Sequence, residues 1–118
     1  MAIRNVTQRT ALAAAYASAA PFGALFTADP GTANSATGEV SGGSPAYARK
    51  NLGWTAASGG STTGGATFDV PSGVTVTFAA VAASGTAGTA DIRDSGAVPS
   101  QQFSSQGQYV ISTSYTQS

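Results

Sequence analysis

A chain of 118 residues with five Lys+Arg against five Asp+Glu carries no net charge, and only 8% of it is charged, against about 25% in an ordinary soluble domain. Neutrality excludes the long-range field that gathers nucleic acid or an anionic membrane, and it leaves little repulsion between copies of the chain. The absence of cysteine and histidine excludes disulfides, thiolate metal sites, the commonest general base, and the Ser-His-Asp and Cys-His arrangements.

The hydrophobic fraction of 42% overstates the core, because 24 residues are alanine and carry little side chain to bury. The larger apolar residues suffice for one thin core. Fifteen glycines and many Ser/Thr residues would suit disorder, but short β-type runs between them predict a fold. The length favours one globular unit, divided into an N-terminal arm with a helix over residues 1–21 and a β-sandwich domain over 22–118.

In chain order, residues 5–20 predict the one helix. Asn5 is suited to cap it, Gln8 follows three positions later, and the alanines from Ala11 to Ala15 have high helix propensity. Leu12, Ala15, Tyr16 and Ala19 fall on one narrow stripe, and Pro21 ends the run. So thin a stripe suits a helix lying across an open face of a sandwich; docking on another subunit is the alternative. Arg4 and Arg9 before an Ala-rich stretch ending Ala17-Ser18-Ala19 superficially resemble a secretion signal. Only Leu12 and Tyr16 exceed alanine in its apolar part, so that reading is not adopted.

From Phe22 the signals become β. Residues 22–27 form an apolar run closed by the turn Asp29-Pro30-Gly31, and Val40 precedes Ser41-Gly42-Gly43. Residues 47–55 read as a strand with a bulge near Gly53, carrying Tyr47, Arg49 and Asn51 on one parity. The clearest pattern lies in the middle. Val74, Val76, Phe78 and Ala80 alternate with Thr75, Thr77, Ala79 and Val81, and the short link Pro71-Ser72-Gly73 predicts a hairpin with residues 66–70. Residues 89–94 read as a short strand anchored by Ile92, and 97–106 as irregular with Phe103 tucked inward. Residues 108–116 form a last strand with Tyr109, Ile111, Thr113 and Tyr115 on one face. The pattern predicts an all-β fold, a small β-sandwich of jelly-roll or immunoglobulin-like type with one N-terminal α-helix.

The sequence carries no catalytic or ligand-binding pattern. The carboxylates Asp29, Glu39, Asp69, Asp91 and Asp94 are scattered, and no spacing pairs two across a cleft as a glycosidase requires. Asp91 and Asp94 lack the spacing of a calcium loop. The pairs Gly42-Gly43, Gly59-Gly60 and Gly64-Gly65 lack the lysine of a phosphate loop. Arg49-Lys50 is too small a basic patch for nucleic acid. Arg49 is placed to pair with Glu39 across neighbouring strands. Trp54 reads as a core or interface anchor rather than an exposed stacking platform.

Several ordered segments resemble a family of small tail-fibre-like or head-decoration-like virion proteins of actinobacterial tailed phages. They are the Ala-rich helix, Leu25-Phe26-Thr27-Ala28-Asp29-Pro30-Gly31, Glu39-Val40-Ser41-Gly42-Gly43 with Tyr47-Ala48-Arg49, and Trp54 to Gly60 leading into the strands at 66–70 and 74–78. The resemblance covers about residues 1 to 80 and weakens after Val81. It implies a particle component rather than an enzyme, without cofactor, metal or small-molecule substrate. The expected role is capsid decoration: a cap made in the host cytoplasm, bound to the major capsid protein on the outer capsid surface and stabilising the head. The alternatives are a tail fibre or baseplate component in host attachment, or a carbohydrate-binding adhesive module. Nucleic acid and membrane are not expected as partners.

Symmetry multiplies weak contacts, and three copies can close a ring, so a homotrimer is expected. The thin core suggests that Phe103, Tyr109, Ile111 and Tyr115 lie between subunits. Ile3, Arg4 and Arg9 in the N-terminal arm are the candidate anchors on an acidic capsid surface, the arginines pairing carboxylates and Ile3 filling a pocket.

Overall fold

The computed structural model describes residues 5–32 and 35–116. The helix α1 spans Val6–Ala19 and is followed by strands β1 (Phe22–Phe26), β2 (Lys50–Asn51), β3 (Ser61–Val70), β4 (Val74–Ala82), β5 (Ile92–Phe103) and β6 (Gly107–Thr116). The Asn5 side chain accepts a hydrogen bond from the Gln8 backbone N–H at 3.0 Å. That cap satisfies one of the donors a helix start leaves free. At the other end the Ala20 N–H donates to the Tyr16 carbonyl before Pro21 stops the run.

The strands form two antiparallel sheets, one in the order β2-β1-β4-β5 and one of β3-β6. This is the expected β-sandwich with an N-terminal helix, reached with six strands among the described residues against the seven or eight of the immunoglobulin and jelly-roll types. Leu25, Val76 and Phe103 from the larger sheet meet Phe68 and Val70 from the smaller one, with Val40 and Tyr47 closing the cluster. β6 alternates half-buried and exposed along its length. Tyr109, Ile111, Thr113 and Tyr115 are the inward set, as its period of two predicts. The two strands of the small sheet pair in register from Ser61 opposite Thr116 to Val70 opposite Gly107. Their Val70 end packs on the larger sheet. Their Ser61 end lies under α1, where Thr10 accepts from the Gly60 N–H and Tyr16 stacks on Tyr115. The helix thus covers a face of the sandwich.

Three expectations are corrected. The hairpin across Pro71-Ser72-Gly73 does not form: β3 pairs with β6, while β4 pairs with β1 and β5. Alternation places side chains on faces but does not choose a neighbour. Here the link crosses between layers, so that Phe68 and Val76 enter one core from opposite sheets. Gly73 adopts φ of 80° in that link, and its N–H donates to the Phe103 carbonyl.

Residues 47–55 contribute only the two ladder residues of β2, because the Tyr47 N–H bonds back to the Gly42 carbonyl and Gly53, at φ 60°, breaks the extended backbone after it. The segment at 97–106, expected to be irregular, is mostly strand. β5 runs for twelve residues, with register shifts in its pairing to β4 and Pro99 on its length. Bulges blur the alternation, and an edge strand tolerates proline.

Candidate functional site

The densest polar site is built around Arg49, whose side chain is wholly buried. β1 and the chain around Glu39 are joined by a bridge between Phe26 and Glu39, which fixes the carboxylate beside the sheet. The Arg49 guanidinium meets Glu39 in a two-point fork, Nε to Oε2 and Nη2 to Oε1, both at 3.0 Å. Nη1 donates to Asp91 Oδ1 at 2.6 Å and to the Ser84 carbonyl at 3.1 Å, and Nη2 donates also to the Thr89 carbonyl at 2.8 Å. All five donors of the fork are therefore used.

Glu39 is equally occupied: Oε2 accepts from the Tyr47 hydroxyl at 2.7 Å, and Oε1 from the Gly88 N–H at 2.9 Å. The Tyr47 oxygen in turn accepts from the Leu25 N–H. One guanidinium thus ties the loop at 84–91 to the 39–49 segment, and through Tyr47 to β1.

The expected pairing of Arg49 with Glu39 is present, at bidentate geometry. The sequence offered no sign that Asp91 joins them, because it lies 42 residues further along the chain. Tyr47 was the readable partner, two residues from Arg49 on the same parity. The two carboxylates that meet here, Glu39 and Asp91, are held by one cation, so the arrangement acts as an internal cross-link. Asp94 turns elsewhere and accepts from the Tyr16 hydroxyl at 3.1 Å.

The electrostatics follow. Burial, then the hydrogen bond to Glu39, holds the Tyr47 phenol far above its ordinary range. Burial pushes the Asp91 carboxyl up, but Ser84 and the Arg49 guanidinium outweigh it and hold the group below the usual carboxylate range. A carboxylate depressed in the folded state contributes stability above its unfolded pKa of about 4, and that contribution is lost as pH falls through the folded value. Asp91→Asn is therefore expected to flatten the acid limb of the stability curve below about pH 4. Urea melts at stepped pH check this; an acid limb identical in both proteins rejects the assignment.

A second site lies where α1 meets β6. Tyr16 stacks on Tyr115 with ring centroids 4.1 Å apart and meets the Trp54 ring edge-on at 5.8 Å. The Trp54 indole N–H donates to the Ala20 carbonyl at 2.8 Å, so this residue anchors the helix end, as expected of it. Burial, then the Asp94 carboxylate, raises the Tyr16 pKa and keeps the phenol protonated. Beside this seam a cleft of about 210 Å³ opens between β5 and β6.

Of the residues expected at interfaces, Ile3 and Arg4 lie outside the described residues. Arg9 is half-buried on α1, and its Nε has no hydrogen-bond partner among the described residues. Phe103 lies in the core, with the Tyr109 ring tilted against it at 6.4 Å. The Tyr109 hydroxyl donates to the Pro99 carbonyl, Ile111 packs on the same core, and Tyr115 is under the helix. The structure thus gathers these four on the inward side of the chain's own sandwich.

No curated protein and no solved structure matches this chain. A protein-family match runs over residues 2–117, through the Arg49 cross-link and the seam alike, and on it the chain belongs to the family described as Podophage GP4 fiber I protein gp80, a family of phage fibre structural proteins, which makes it a structural component of a virion.

Proposed function

We propose that the chain is a repeated, homo-oligomeric subunit of a fibre on the outside of a phage particle, and that it acts by assembly rather than by turnover. The family match along nearly the whole chain carries this reading. The structure supports it chemically: the main cluster of charged side chains is consumed as an internal cross-link, with every guanidinium donor occupied. The fibre description favours a fibre over the expected capsid cap. We take the host to be an actinobacterium from the resemblance alone, and the oligomer to be three-fold because three copies close a ring.

Gold-labelled antibody against the chain, applied to intact particles, tests the location. Label on fibres is expected. Label spread over the head, with binding of the purified chain to empty capsids, overturns the fibre reading in favour of capsid decoration.

A further inference from the structure

We propose that β6 is the edge through which two copies of this chain join, pairing antiparallel with β6 of the second copy about a two-fold axis at Ile111. The inference rests on the reading of the chain as a repeated subunit and names the contact.

An unpaired strand edge is a template for another strand unless it is short, charged, interrupted by proline or covered. The other edges here have such protection. β2 has two residues, and β5 carries Arg93, Asp94 and Pro99. The free side of β3 is covered over residues 61–65 by the chain at 52–58, through Gly65 N–H to Leu52 and Thr55 N–H to Thr63, and its remainder carries the charge of Asp69. Over residues 108–114, short of the Tyr115 end that lies under α1, β6 has none of these devices. Its ten residues, GQYVISTSYT, contain no charge and no proline. From Gln108 to Ser114 its backbone makes no hydrogen bond beyond the β3 ladder among the described residues.

The sandwich is also open on this side. β5 and β6 are joined by a short turn, yet each pairs with another strand. Between them lies a cleft lined by the half-buried Ile111, with the buried Leu52 and Val81 at its floor and Asp94 and Gly96 of β5 beside it. Val110 on the outer face is 68% exposed.

A second copy meets these needs, because the strand is self-complementary. Opposed residues of an antiparallel pair lie on the same face. A register centred on Ile111 sets Ile111 against Ile111 and Tyr109 against Thr113 over the cleft. It sets Val110 against Ser112 outside, leaving the two Val110 side chains at diagonal positions on the same face. Centring on Ser112 instead would separate both apolar pairs. No charge opposes another in this register, and the chain as a whole is neutral. An isologous contact doubles copy number: it gives a dimer on its own, or six copies where a three-fold contact also exists.

The chain has no cysteine, so single cysteines report cleanly. Val110→Cys and Ser112→Cys, both at outward positions, are made in the full chain and oxidised alone and mixed. The mixture is expected to give a disulfide-linked dimer, with only background from either variant alone. Val110→Lys is expected to halve the mass of the native assembly by light scattering while circular dichroism stays unchanged. A parent that is oligomeric but gives no linked dimer in the mixture overturns the β6 contact and leaves the subunit reading standing. A parent that is monomeric at high concentration overturns both.

Discussion

Arg49→Met is expected to destabilise the domain by about 3–5 kcal/mol, the usual cost of removing one partner of a buried ion pair. Met fills most of the side-chain volume but leaves the Glu39 carboxylate, 4% exposed, without its fork. It also leaves the Ser84 and Thr89 carbonyls without their donors. With a urea slope of about 1–3 kcal/mol/M, the unfolding midpoint falls by at least about 1 M. The double variant Arg49→Met, Glu39→Leu separates charge from packing. Replacing a buried pair with apolar groups of similar size is often close to neutral, so removing the orphaned carboxylate should restore much of the loss. Asp91, with its side chain 15% exposed, can turn to water. The two carbonyls stay unpaired, and the Tyr47 hydroxyl and the Gly88 N–H lose Glu39 as their acceptor, so recovery should be incomplete. A single variant that melts within experimental error of the parent rejects the cross-link as a stability element. A triple variant that adds Tyr47→Phe to the double one and is still less stable than Arg49→Met rejects the electrostatic reason for it.

The same residues show how much of the molecule the sequence discloses. Local chemistry was legible: Asn5 caps the helix, Pro21 ends it, and the inward set of β6 follows from alternation. The Arg49–Glu39 pair was legible as well, because two opposite charges ten residues apart flank a predicted turn. Asp91 and the loop at 84–91 were not, since nothing local marks which distant carboxylate a guanidinium will reach. Strand neighbours were hidden for a related reason. The alternation of β3 and β4 is equally consistent with one sheet or two, and the choice is made by the core that both strands fill. The inward placement of Phe103 and Tyr109 also follows from that choice. The weak supply of large apolar groups suggested shared interfaces, yet α1 supplies a cover for part of the small sheet within one chain.

Phe68→Ala is expected to cost about 3–5 kcal/mol, because the ring is fully buried between the layers and its loss leaves a cavity. The ring stacks near Tyr47, with centroids 6.5 Å apart, and its tip rests over Gly23 of β1. A Cβ at Gly23 would stand 2.8 Å from the ring Cζ and 2.9 Å from Leu52 Cδ2. Gly23→Ala is therefore an overpacking change, expected to cost about 1–3 kcal/mol. The two sites share one space, so their effects should not add. With the ring removed, the new methyl enters the cavity instead of colliding with it, and Leu52 has room to move aside. The double variant should be more stable than the sum of the singles allows by about 0.5–3 kcal/mol, the range found for residues in contact. Urea melts of the four proteins measure this coupling directly. Strict additivity would mean that the ring does not sit on Gly23, and the packing that joins β3 to β1 would have to be redrawn.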